Sequence, residues 1–345
     1  MKLSPELLYR FVYDVFVTRY RPSRPVRPLL IAYFVTFRCN LNCLYCEYAQ
    51  DNRLRQQPEL DTEAAMRLLN ILRRGAPSLA FSGGEPLVRE DILDLVKHAR
   101  KLGFKPISLF TNSLLLPQNE QVLDYIDFLQ VSLDTTDEQK QDRLFAVNGQ
   151  GSAKEVMEHI RFYARQQTKR NFRINLNAVL MPETLDDLDG VYRFARSNRV
   201  RLTVCPQLYY GQPVDGIAQN PLYRQKLDWL RLLKKKDATI MDTFQFLESI
   251  RDFKPFHCYP YLTPRVYPNG DLVAPCPILD QKRWPLLEQE SWQAAYDAMI
   301  AEFGNPFQCP KPCFLPCYLE TSTLLDKPLE SLKELKGLGR KIHDI

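Results

Sequence analysis

The chain switches between two hydrophobic periods. Residues 4–20 place Leu7, Leu8, Phe11, Val12, Val15 and Phe16 on a helical stripe, with Ser4 as N-cap and Pro5 and Glu6 in the first turn. From residue 29 strands alternate with helices. LLIAYFVTF (29–37) is apolar and rich in β-branched and aromatic residues, the mark of a buried strand. Further strands are predicted at 79–82, 106–111, 128–134, 172–180 and 200–205. Helices are predicted at 61–74, at 91–103 where Gly103 stops the run, and at 118–125, 152–167 and 184–198. Six strands separated by helices make βαβ units and a parallel sheet. Periodicity does not choose between an open doubly wound sheet and a closed or partial barrel. Either places a ligand site at the carboxyl ends of the strands.

After residue 205 the pattern changes. Residues 221–251 read as a helical bridge. A Pro-, Cys- and aromatic-rich segment with little periodicity runs from 253 to about 320, and such a segment needs a staple to fold. Within it, Asn269-Gly270 between RVY and LVA predicts a hairpin turn. Residues 327–345 read as a Lys/Leu helix. The 345 residues are 45% hydrophobic and 25% charged, ordinary for a globular protein. A net charge of +5, from 46 basic and 41 acidic residues, suits an anionic small molecule or an acidic partner and does not indicate nucleic acid. The chain has neither a membrane-length apolar run nor a signal-peptide pattern, so a cytoplasmic protein is expected. The helix at 4–20 is expected to close one end of the domain. Arg10, Arg19, Arg21 and Arg24 open a second reading, contact with a membrane surface.

Nine cysteines in a cytoplasmic chain point to metal ligation or catalysis rather than disulfides. Cys205 stands apart, and the rest form two groups. Cys39, Cys43 and Cys46, spaced C-x3-C-x2-C, follow the first strand directly. Closely spaced thiolates suit zinc or iron–sulfur ligation. No fourth Cys or His is near, the next being His98. Three thiolates on a four-iron cluster leave one iron open to a substrate or cofactor.

This motif, with Tyr45 before its last cysteine, resembles the signature of the radical S-adenosylmethionine (radical SAM) superfamily. FSGGEP (81–86) after the second strand resembles the family's GGEP motif. Thr111-Asn112-Ser113 is similar to the Thr-Asn-Gly of many relatives, with Ser departing. VSLD (131–134) ends the fourth strand, where relatives carry a polar residue. The resemblance implies a partial (β/α)6 TIM-like barrel over residues 25–215 and a [4Fe–4S] cluster on Cys39, Cys43 and Cys46. It also implies SAM on the open iron, and a 5′-deoxyadenosyl radical that takes a hydrogen from the substrate. It assigns Gly83, Gly84, Glu85 and Pro86 to the methionine part, with Glu85 at the ammonium, and makes Asn112 a cofactor contact. Ser132, then Asp134, and Asn177 become ribose contacts; for these last polar residues a strand-end or capping role is the alternative. An electron donor such as flavodoxin or ferredoxin is expected.

Cys258, Cys276, Cys309, Cys313 and Cys317 resemble a reduced form of the C-terminal auxiliary-cluster extension called SPASM or twitch. The resemblance implies one auxiliary [4Fe–4S] cluster on Cys258, Cys276 and two or three of the others, with zinc on the same thiols as the alternative. The expected units are an N-terminal helix (1–24), the core (25–215), a helical bridge (216–252), a small Cys-rich hairpin domain (253–322) and a C-terminal helix (323–345). Cys205 is either a small buried residue or a hydrogen-atom donor, and Tyr209 and Tyr210 are candidate walls of the substrate site. The expected function is a radical SAM enzyme acting on a peptide. A small molecule, a membrane-surface lipid and a non-catalytic metal scaffold are the alternatives.

Overall fold

The computed structural model describes residues 4–146, 152–310 and 313–331. Strands β1 (Leu30–Thr36), β2 (Ser78–Gly83), β3 (Ile107–Thr111), β4 (Phe128–Ser132), β5 (Arg173–Leu180) and β6 (Arg201–Pro206) stand side by side in that order, all parallel. The intervening helices lay apolar faces on the sheet: Leu68 and Leu72 from Thr62–Gly75, Leu95 and Val96 from Ile92–Lys101, Val156 and Ile160 from Ala153–Ala164, Val191 and Ala195 from Leu188–Ser197. All are buried, which is what the 3.6-residue period requires of a helix on a sheet.

β6 does not return to β1, so the barrel is open. A two-residue pair, β7 (Leu208–Tyr209) and β8 (Gln212–Pro213), lies beyond β6. The other edge of β1 takes β9 (Arg265–Val266) in parallel, and β10 (Asp271–Ala274) and β11 (Lys282–Pro285) follow antiparallel. The predicted turn joins β9 to β10: the Gly270 amide donates to the Tyr267 carbonyl at 2.9 Å, and Gly270 has φ +87°. Residues 253–322 thus share one nine-stranded sheet with the core.

Other elements depart from the pattern. The bridge is two helices, Pro221–Lys234 and Phe244–Asp252. The aperiodic segment contains β11 and helix Trp292–Phe303, whose Trp292 packs so closely on Gly75 that a β-carbon there would collide with the indole. It also contains helix Pro316–Asp326, in whose first turn Pro316 sits, where a missing N–H is tolerated. Helix Glu138–Phe145 carries too few apolar residues to be read from periodicity; the Asp137 side chain caps it, accepting from the Lys140 amide at 2.9 Å. Most of the predicted C-terminal helix, residues 332–345, lies outside the described residues.

Helix α1 (Pro5–Tyr20) is capped by Ser4, whose hydroxyl accepts from the Leu7 amide at 3.2 Å. Arg10 donates to the carbonyls of Pro28 and Gly75, and Arg73 pairs with Glu6 at 2.6 Å. Pro28 leads into β1 and Gly75 precedes β2, so α1 lies across the amino ends of the strands. The predicted stripe is divided: Phe11 is buried, while Leu8, Val12 and Phe16 are exposed. Arg10 faces the protein rather than a membrane.

Asp14 on α1 is fully buried. One carboxylate oxygen accepts from the Arg27 amide at 2.7 Å and the other has no partner. Burial pushes its pKa up to about 8, against the pull of the Arg27 amide. The folded state therefore keeps a proton that the unfolded chain gives up near pH 4. The stability this contributes is complete below pH 4 and is lost as pH rises to 8. Denaturant unfolding should show Asp14→Asn gaining on the parent by roughly 2–5 kcal/mol between pH 4 and pH 8; a pH-independent gap would contradict the assignment.

Candidate active site

β1 ends at Thr36, and the cysteine loop that follows has no regular structure until the short turn at Glu47–Gln50. Neighbouring strand ends hold it in place. At the end of β2, the Gly84 and Glu85 amides donate to the Thr36 and Arg38 carbonyls, both at 2.9 Å. A β-carbon on Gly83 or Gly84 would strike these same carbonyls, and Gly83 has φ +126°. The two glycines are thus required by the approach of one loop to the other.

Glu85 is buried and accepts three hydrogen bonds, from the Leu87 amide (3.0 Å), the Thr111 hydroxyl (2.8 Å) and the Asn112 amide (2.7 Å). Burial pushes its carboxyl up to about 7, and the three donors only partly offset this. Pro86 begins a 3-10 turn, Pro86–Val88, capped by Glu85. From β3, Asn112 donates to the Asn40 side chain at 2.7 Å, a direct link to the cysteine loop. From β4, Asp134 accepts from the Tyr45 hydroxyl (2.7 Å), Gln141 (3.2 Å) and the Val179 amide (2.8 Å), which leaves it committed within the protein. Ser132 is half-buried and its hydroxyl makes no hydrogen bond among the described residues. Asn177 on β5 accepts from the Thr203 hydroxyl at 3.3 Å and meets Cys205.

Cys39, Cys43 and Cys46 are half-buried, and their thiols are mutually repulsive as anions. Burial, with the other thiols adding, raises Cys43, and Cys39 is pushed up to about 11. Five thiols crowd in the same way in the C-terminal segment. Burial raises Cys258, and Cys313, Cys309, Cys276 and Cys317 each add to the rise. Among the described residues no three Cys, His, Asp or Glu side chains converge at the spacing of a single metal ion. Two crowds of closely set cysteine thiols, most of them half-buried, suit iron–sulfur ligation.

A cavity of about 620 Å³ lies between the two crowds. Cys46 and Tyr48 line one wall, Cys205 and Val179 the strand ends, and Ile278 and Pro316 the C-terminal wall. Burial pushes the Cys205 thiol up to about 12, so it stays protonated. Arg265 lines the cavity and is itself buried. It donates to the Tyr48 hydroxyl at 2.6 Å, stacks 4.5 Å over Phe34, and contacts Cys317. Its Nε has no partner, and no described carboxylate pairs with it.

Residues 33–195 match the Radical SAM superfamily. The chain carries a radical SAM domain. It is 29% identical over 181 residues to a GTP 3',8-cyclase of Marinobacter nauticus, covering 52% of this chain and 53% of that one. To a probable GTP 3',8-cyclase of Methanococcus aeolicus it is 28% identical over 228 residues, covering 64% and 72%. It therefore spans about half the length of the first relative. The fold is similar to that of Streptococcus suis SuiB bound to its precursor peptide SuiA, with TM-score 0.66 and 16% identity, over 95% of this chain and 79% of that one. Radical SAM enzymes use a [4Fe–4S] cluster and SAM.

Sequence reading missed Asn40, Gln141, Tyr48 and Arg265. The first two are short polar links between segments that pattern does not pair. A lone arginine at the foot of a predicted hairpin was the available signal for Arg265. The departure at Ser113 has a physical reading: its φ is +67°, a left-handed conformation that glycine adopts freely, and its hydroxyl is buried without a partner. Ser113→Gly should raise stability by about 1 kcal/mol, read as a higher denaturation midpoint at unchanged slope. A loss of stability would show that the serine is held by something other than its backbone.

Proposed function

We propose that this chain is a radical SAM enzyme whose cysteine loop carries the reactive cluster on Cys39, Cys43 and Cys46. Cys258, Cys276 and two or three of Cys309, Cys313 and Cys317 hold an auxiliary [4Fe–4S] cluster. What carries this reading is the locking of the three-thiol loop to the ends of β2, β3 and β4. When bound, the cluster and SAM supply one-electron cleavage of the sulfonium and a hydrogen-abstracting carbon radical.

The chain's own residues bind and shield. Glu85 is a buried carboxylate with no cationic side chain in contact among the described residues, and the SAM ammonium would supply the missing positive charge. Ser132 and Asn177 retain capacity toward the ribose; Asp134 instead positions Tyr45 and, with it, the loop. Ile278 and Pro316 give the cavity an apolar wall that would limit water at the reacting centre.

The cavity has the volume of a small-molecule site. Arg265, with an unsatisfied donor, asks for an anion. We therefore favour a substrate bearing a phosphate or carboxylate near the reacting carbon, and the cyclase names of the relatives agree with a small molecule. Tyr209 and Tyr210, exposed and packed edge to face at 4.7 Å, support a second reading, an extended peptide running past the rim.

Anaerobic reconstitution and dithionite reduction with SAM test the chemistry. Cys39→Ala, Cys43→Ala and Cys46→Ala should each lose roughly half the iron and all formation of 5′-deoxyadenosine. Cys258→Ala should lose the other half. Formation of 5′-deoxyadenosine by Cys43→Ala would refute the assignment, and its absence from a fully loaded parent would favour the scaffold reading.

A further inference from the structure

Five of the twelve large hydrophobic side chains exposed among the described residues lie on α1: Leu8, Tyr9, Val12, Phe16 and Tyr20. With 3.6 residues per turn they span an arc about 120° wide, and Arg19 falls inside it. The buried residues Phe11, Asp14 and Val17 centre on the opposite side. The outward face has no acid, because Glu6 turns to Arg73 and Asp14 is buried. Arg19, Arg21 and Arg24 are exposed at its carboxyl end, and none pairs with a carboxylate among the described residues. Arg27 adds a cation beside the stripe, 4.0 Å over the Tyr13 ring. No described helix is long and apolar enough to cross a membrane.

We propose that α1 is an interfacial anchor that seats the protein on an anionic lipid bilayer. An apolar stripe without acids, bordered by unpaired arginines, matches both demands of such a surface: acyl chains for the rings, and negative headgroups for the guanidinium groups. The seating has a direction. Arg10 ties α1 to Pro28 and Gly75, at the amino ends of β1 and β2. The cysteine loops and the cavity are at the carboxyl ends. A bilayer under α1 therefore faces the closed end of the barrel, and the mouth opens to water. The anchor localises the protein without feeding it lipid. This inference stands independently of the proposed reaction.

The test is sedimentation of the reconstituted full chain with phosphatidylcholine vesicles, with and without phosphatidylglycerol, at low and high salt. Binding should require phosphatidylglycerol and weaken with salt. Replacing Arg19, Arg21 and Arg24 by Gln should weaken it about fivefold per charge. Val12→Gln, Phe16→Gln and Tyr20→Gln together should weaken it about tenfold or more, with unchanged circular dichroism and unchanged 5′-deoxyadenosine formation. Absence of binding overturns the proposal. So does binding that ignores the apolar triple variant, which would be non-specific charge attraction. So does self-association abolished by that variant in a protein that ignores vesicles, since a second copy would then cover the stripe.

Discussion

The organisation of the site depends on one constraint: a loop without its own secondary structure must hold three thiols in fixed relation to a sheet. Hydrogen bonds from successive strand ends, buried or partly buried, meet that constraint. Glycine backbone at the end of β2, Asn112 beyond β3 and Asp134 beyond β4 each reach the cysteine loop or its tyrosine. The more such a bond is shielded from water, the stronger it is when made and the costlier when broken. The loop therefore inherits the rigidity of the sheet. That rigidity is what a three-thiol site requires, because it must keep one position of a cluster open without collapsing onto it.

The same sheet explains how a second crowd of thiols comes to face the first. The C-terminal hairpin does not hang from the core on a tether; β9 pairs with the free edge of β1, the strand that leads into the cysteine loop. Residues separated by more than two hundred positions thus become neighbours. Arg265, on β9, reaches Tyr48 beside Cys46 on one side and Cys317 on the other. A buried guanidinium without a carboxylate is tolerable only among groups that carry negative charge or partial charge, here a tyrosine hydroxyl, a thiol and an aromatic face. On the proposed reading, the clusters and an anionic substrate would make this arginine the counter-charge of the cavity.

Much of this could be read from the amino acids. Apolar runs such as LLIAYFVTF announce buried strands, and the C-x3-C-x2-C and GGEP motifs mark the ends of β1 and β2. What pattern could not show is which long-range pairs form. Nothing in the chain pairs Asn40 with Asn112, or residue 265 with residue 32. Nor does a helical stripe say which side meets the core: α1 carries apolar residues around much of its circumference, and only packing decides that Phe11 turns inward and Phe16 outward. Resemblance assigns the glycines at 83 and 84 to a cofactor, and what the pattern does not show is that they also make room for the neighbouring backbone.

The central claim is that three thiols hold a cluster with one open iron, and that SAM occupies it. Electron paramagnetic resonance of the reduced Cys258→Ala protein, before and after addition of SAM, addresses this directly. The account predicts that SAM changes the g-values of the remaining cluster signal, because the cofactor becomes a ligand of that cluster. A reduced-cluster signal that SAM leaves unaltered at saturating concentration would contradict it.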